Sequence, residues 1–137
     1  MRVFLDASIL FSAAKSNGAV RRLLDLLRSR GHVGVVNAFV IAEARRNLER
    51  KGPDALAALE GLLVRLELVA TPLPVASALS AWRPEKDRPV LEAAIAARCD
   101  ALVTGDRTHF AAGYGRAYGG VTVYSPRGLA EAVSGWS

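Results

Sequence analysis

The chain predicts an α/β fold: a three-layer α–β–α sandwich around a central, mostly parallel sheet of about five strands. Three observations carry this. Short apolar runs, at Arg2–Leu5, Val33–Val36, Ala101–Thr104 and Val121–Tyr124, alternate with longer segments whose apolar residues recur at helical spacing. Strands that are apolar throughout belong to sheets buried on both faces, which are typically parallel. Finally, two of these runs are closely followed by acids, Asp6 and Asp106, beyond the carboxyl ends of strands, where open sheets bind ligands.

In chain order, Arg2–Leu5 is the first strand, and Ser8 is read as the cap of a helix carrying Ile9, Leu10 and Phe11. Ser16-Asn17-Gly18 breaks that helix. The next begins near Ala19, buries Val20, Leu23, Leu24 and Leu27, and ends at Gly31. Val33–Val36 is the second strand, and Asn37 caps a helix over Ala38–Arg50 that stops at Gly52-Pro53. Asp54 is read as the cap of a helix with Leu56, Leu59, Leu63 and Leu66 as its buried stripe. Leu66–Ala70 is a third strand candidate, although periodicity does not separate it from the preceding helix. A short helix is expected over Leu73–Trp82, and another after Asp87 with Val90, Leu91, Ala94 and Ile95 inward. Ala101–Thr104 is the fourth strand. Tyr114–Gly120 reads as a glycine-rich loop, Val121–Tyr124 as the last strand, and Pro126 as the opening of a terminal helix.

At 137 residues the chain suits one domain spanning 1–137. Eighteen Lys plus Arg against thirteen Asp plus Glu leave a formal charge of +5, which favours a polyanionic partner. With Cys99 the single cysteine, no internal disulfide forms, and a reducing cytoplasm is the expected compartment. No uninterrupted apolar run is long enough to span a membrane. The N-terminal stretch imitates a signal peptide until Asp6 interrupts its apolar run, so it is read as a strand.

Most of the acids, such as Asp25, Glu49, Asp54, Glu60, Glu92 and Glu131, fit solvated faces or caps. Four remain as site candidates: Asp6, Glu43, Asp87 and Asp106. Each has a structural alternative. Asp6, Asp87 and Asp106 would each serve as a helix cap, worth about 1 kcal/mol, and Glu43 has Arg46 and Asn47 one turn on. A haloacid-dehalogenase-type phosphatase needs a second acid two residues after the first, where Ser8 stands; a dinucleotide site needs a glycine-rich first turn, and Asp6-Ala7-Ser8 is not one.

The pieces VFLDASIL, IAEARRNL, KDRPVLEAAIAARCDALVTGD and VYSPRGL, in that order, resemble the PIN-domain family, and in particular its VapC-like members, the toxin components of toxin–antitoxin pairs. The resemblance implies a ribonuclease that hydrolyses RNA phosphodiester bonds with Mg²⁺ or Mn²⁺, an antitoxin partner and a homodimer. It matches Asp6 to the acid ending the first strand, Glu43 to the acid in the helix after the second, Asp87 to the acid before the fourth, and Asp106 to the one after it. Glu85 stands as the alternative to Asp87. Ser8 and Thr104 match small polar positions beside the acids, although Ala7 and Ser8 stand where the family more often has Thr and Asn. Arg107, Lys15, Arg45 and Arg46 are candidates for guiding a phosphate backbone. The rival reading is a non-catalytic PIN-like scaffold that binds RNA or protein.

The chemistry agrees with the resemblance. Two carboxylates about 4 Å apart repel by about 4 kcal/mol at an effective dielectric of 20. Four of them gathered together call for a cation, and hard divalent cations prefer oxygen ligands.

Overall fold

The computed structural model describes residues 1–72, 88–105 and 114–134, so the helix expected over Leu73–Trp82 lies outside the described residues. The described elements are β1 (Arg2–Leu5), α1 (Ala7–Lys15), α2 (Ala19–Ser29), β2 (Val33–Asn37), α3 (Ala38–Lys51), a 3₁₀ turn (Pro53–Ala55), α4 (Leu56–Leu63), β3 (Glu67–Val69), α5 (Arg88–Ala96), β4 (Ala101–Val103), β5 (Ala117–Tyr118), β6 (Val121–Tyr124) and α6 (Pro126–Ser134). Six strands form one sheet in the order β3-β2-β1-β4-β6-β5, parallel except for β5. The expected architecture holds, with one strand more than the sequence implied.

β1 and β4 occupy the middle. Val3, Phe4 and Leu5 are fully buried, as are Ala101, Leu102 and Val103, which is why these six positions are apolar at every step rather than alternating. Their register pairs Leu5 with Val103. From β1 the chain works outward to β2 and β3, then returns to the other side of β1 as β4. The strand order therefore reverses between β1 and β4, and it is beyond the carboxyl ends of strands at such a switch point that open sheets bind ligands. On the helical layers, α1 packs against α3 and α4, while α2 packs against α6. No helix among the described residues is long and apolar enough to cross a membrane.

Three local readings are corrected. Tyr114–Gly120 is not a plain loop, because Ala117 and Tyr118 pair with β6 through a two-residue turn. Gly119 and Gly120 have φ of +58° and +85°, the paired positive values of a type I′ hairpin turn, which glycine adopts without strain. Asp54 makes no side-chain cap; it sits in the 3₁₀ turn that leads into α4. In α4 only Leu59 is fully buried, and Leu66 lies beyond the helix end, because the chain leaves the helix to enter β3.

The amino-terminal edge of the sheet is held by polar ties. The guanidinium of Arg2, on β1, donates to both oxygens of Glu67, on β3, at 2.9 and 2.8 Å. That contact holds the Glu67 carboxyl below its usual range. The N-terminal amine donates to Nδ1 of buried His32 at 2.6 Å. Burial, then the charges of the amine and Arg30, lower the His32 pKa. Cys99 is buried, and desolvation pushes its thiol up to about 11, so it stays an unreactive packing group.

Candidate active site at the carboxyl edge of the sheet

Asp6 follows β1 directly and is 7% exposed. It is extended at φ −69°, ψ 160°, and its side chain caps α1, with Oδ1 accepting from the Ala7 amide at 2.8 Å. Of the two caps that the sequence offers for α1, Ser8 and Asp6, the helix uses Asp6. Instead Ser8 lies in the first turn of α1, where its hydroxyl donates to Asp6 Oδ2 at 3.4 Å and accepts from the Gly105 amide at 3.0 Å. Ser8 thus ties the start of α1 to the turn after β4.

Thr104 completes the arrangement from the neighbouring strand. It is fully buried, and its Oγ1 donates to Asp6 Oδ2 at 2.6 Å, the short distance expected of a hydroxyl on a carboxylate. Its amide donates to the Tyr124 carbonyl, and its carbonyl accepts from the Tyr114 hydroxyl, each at 3.0 Å. The Asp6 amide donates to the Val103 carbonyl at 3.1 Å. The carboxylate is therefore fixed against rotation by an amide and two hydroxyls, at the point where the strand order reverses. Nothing in the loop sequence around Tyr114 announces its part; it follows from the hairpin.

Asn37 lies at the end of β2. Because Phe4 pairs with Val35, the continued register sets Asn37 level with Asp6. It is 1% exposed and caps α3, its Oδ1 accepting from the Val40 amide at 3.1 Å. Ser125, after β6, caps α6 by accepting from the Gly128 amide at 3.0 Å. Three helices thus start from this one edge. Their unpaired first-turn amides and positive dipole ends favour anionic groups there.

Glu43 is half-buried on α3, about 9 Å along the helix axis from its capping Asn37. It flanks the buried row Val40, Ala44 and Leu48. Asp87, its alternative Glu85, Asp106 and Arg107 lie outside the described residues. Among the described residues no group of three or more His, Cys, Asp or Glu gathers as a metal site. The carboxyl edge nevertheless offers oxygen donors, while His32 and Cys99 lie at the amino end of the strands. Such a donor set fits a hard divalent cation rather than zinc or another thiophilic metal.

Two of the expected phosphate guides are committed elsewhere. The guanidinium of Arg45 grips the carboxylate of Glu60 at 2.7–3.2 Å. Lys15 stands over the Phe11 ring with its ammonium 5.2 Å from the centroid. Two cavities lie away from Asp6: one of about 130 Å³ at the amino end of β2, and a groove of about 620 Å³ between α3, α4 and β3.

The sequence matches the PIN-domain family model over residues 2–108. The chain belongs to the PIN-domain family. No match is found among curated proteins. Among solved structures, this PIN domain is similar to a chain of the crystal structure of VapBC2 from Rickettsia felis bound to a DNA fragment from their promoter. The TM-score is 0.64 at 18% identity, covering 91% of this chain and 98% of that one. At that identity the likeness concerns the fold.

Proposed function

We propose that this PIN-domain protein is a divalent-metal-dependent endoribonuclease, acting as the toxin component of a toxin–antitoxin pair. The observation that carries the reading is the buried Asp6 carboxylate at the sheet's switch point, held by the Ala7 amide and by the Ser8 and Thr104 hydroxyls. A cap alone needs neither hydroxyl. Family membership supports the chemistry, and the likeness to a chain of a VapBC2 complex supports a protein partner.

In this reading Asp6 and Asp106 hold Mg²⁺ or Mn²⁺ directly, and Asp87 and Glu43 complete the shell or orient the attacking water. When bound, the ion lowers the pKa of a coordinated water and offsets charge that develops on the phosphoryl group. The chain's own contribution is positional. Ser8 and Thr104 fix the plane of the Asp6 carboxylate, and Arg107 receives a phosphate of the strand. The protein works as one domain in the cytoplasm, as a homodimer or bound to its antitoxin.

The deciding experiment incubates the protein with mixed RNA, with and without Mg²⁺ or Mn²⁺, beside Asp6→Asn and Asp106→Asn. Metal-dependent cleavage that both substitutions abolish is expected. Cleavage that persists in both variants sinks the assignment, and no cleavage of any RNA leaves the scaffold reading in its place.

A further inference from the structure

The helix that carries Glu43 has two unlike flanks. One, with Ile41, Ala42 and Arg45, lines the groove against α4, and Arg45 on it is already paired with Glu60. The other carries Phe39, Glu43, Arg46 and Arg50. At 100° per residue these four lie within about 60° of one another around the helix. Phe39 is 39% exposed although it is a large apolar ring in the first turn of α3. Arg46 and Arg50 are exposed, and neither makes an ion pair among the described residues.

Placement makes this flank relevant to the site. Asn37, two residues before Phe39, caps the helix beside the strand end that bears Asp6. Phe39 therefore stands in the turn of α3 nearest the strand ends that bear Asp6. Arg46 and Arg50 follow at about 10 and 16 Å along the axis, leading away from it. A helix face made for another helix would repeat apolar residues. This face has one aromatic ring, the Glu43 carboxylate that the proposed function gives to the metal shell, and then two guanidiniums, on a chain of net charge +5. Aromatic stacking combined with a line of positive charge is how proteins hold single-stranded nucleic acid.

We propose that this flank of α3 is the seat for single-stranded RNA. An unpaired base stacks on Phe39 beside the scissile phosphate, and the phosphates of the departing strand lie on Arg46 and Arg50. The proposal rests on the ribonuclease reading and gives its substrate a place on three named residues of α3; the strand must be unpaired there, because a base held in a duplex has no free face to offer the ring.

The test measures binding of a short fluorescein-labelled single-stranded RNA of mixed sequence by anisotropy, in chelator so that no hydrolysis intervenes. Phe39→Ala and Phe39→Leu should each weaken binding about ten-fold, while Phe39→Trp keeps it. Arg46→Gln and Arg50→Gln should each weaken binding and lower the slope of log affinity against log salt by about 0.7. Arg22→Gln and Arg28→Gln, exposed on α2, make the same charge change elsewhere and should have little effect. The proposal is overturned if these controls weaken binding as much, if Phe39→Leu binds like wild type, if the duplex of the same sequence binds as tightly, or if the wild type does not bind. Each reading can fail alone. Binding that follows this pattern without metal-dependent cleavage removes the nuclease reading. Cleavage lost in Asp6→Asn, with binding indifferent to Phe39, Arg46 and Arg50, removes the seat on α3.

Discussion

Two strand-to-helix junctions stand side by side in this sheet, β1 into α1 and β2 into α3, and they do the same local job with different residues. Asp6 and Asn37 are both buried and extended, and both accept a hydrogen bond from an amide of the following helix. Asn37 does so without a charge, which shows that the junction does not need one. At Asp6 the charge is retained, and Ser8 and Thr104 are added to hold it. The difference separates a residue explained by capping from one whose negative charge exceeds what capping asks.

The comparison can be broken by exchanging the two residues. Asp6→Asn keeps an acceptor for the Ala7 amide, so the melting temperature should move little. A metal ligand worth several kcal/mol is lost, so RNA cleavage should fall at least about a hundred-fold. Equal loss of fold and activity would reduce Asp6 to a cap. The reverse change, Asn37→Asp, keeps the α3 cap but sets a second carboxylate level with Asp6. With neighbouring strands about 4.8 Å apart, the repulsion should cost about 2–3 kcal/mol at neutral pH. Chemical denaturation should show much of that loss recovered at about pH 4, where carboxylates begin to protonate, or with millimolar Mg²⁺.

The hydroxyls sharpen it further. Thr104→Val removes a buried donor to a charged acceptor and should cost about 2 kcal/mol, with Thr104→Ser largely restoring stability. Ser8→Ala loses a long hydroxyl contact and the link to Gly105, so it should cost about 1 kcal/mol by the same measurement. Asn37 offers no counterpart to these changes, because among the described residues its side-chain tie runs to Val40 alone. The amino-terminal edge supplies the smallest effect. Burial lowers the pKa of His32 below its ordinary value of 6.5, so the unfolded chain binds more protons in that window. The stability His32 contributes is then fully present above about pH 6.5 and is lost as the pH falls below it. His32→Gln should flatten that slope in a melting series between about pH 7 and 5.

Another pair of sites shows how far local sequence can be read. α2 and α5 end in the same hydrogen-bond pattern. His32 donates to Leu27 and Gly31 to Arg28 in one; Cys99 donates to Ala94 and Arg98 to Ile95 in the other. Gly31 announces its left-handed turn in the sequence, with φ +78°. Arg98 adopts φ +55° without any such signal, because the tertiary path from α5 into β4 demands it.

The sequence by itself determined the apolar strands at the centre, since burial on both faces leaves no room for polar residues over Val3–Leu5 or in β4. It also determined the capping of α3 by Asn37, which depends only on groups a few residues apart. It marked Asp6 as unusual by setting an acid at the end of a buried strand. It did not distinguish Ser8 from Asp6 as the cap of α1, because both have an acceptor within reach of the first turn. The strand order alone set Thr104 beside Asp6, 98 residues away in the chain. Arg45 and Arg46 show the same division. They are neighbours of identical chemistry, yet the helix turns them about 100° apart. One side meets Glu60 on α4 and the other does not. Local spacing sets that rotation, but which element lies opposite each side is a property of the packed fold.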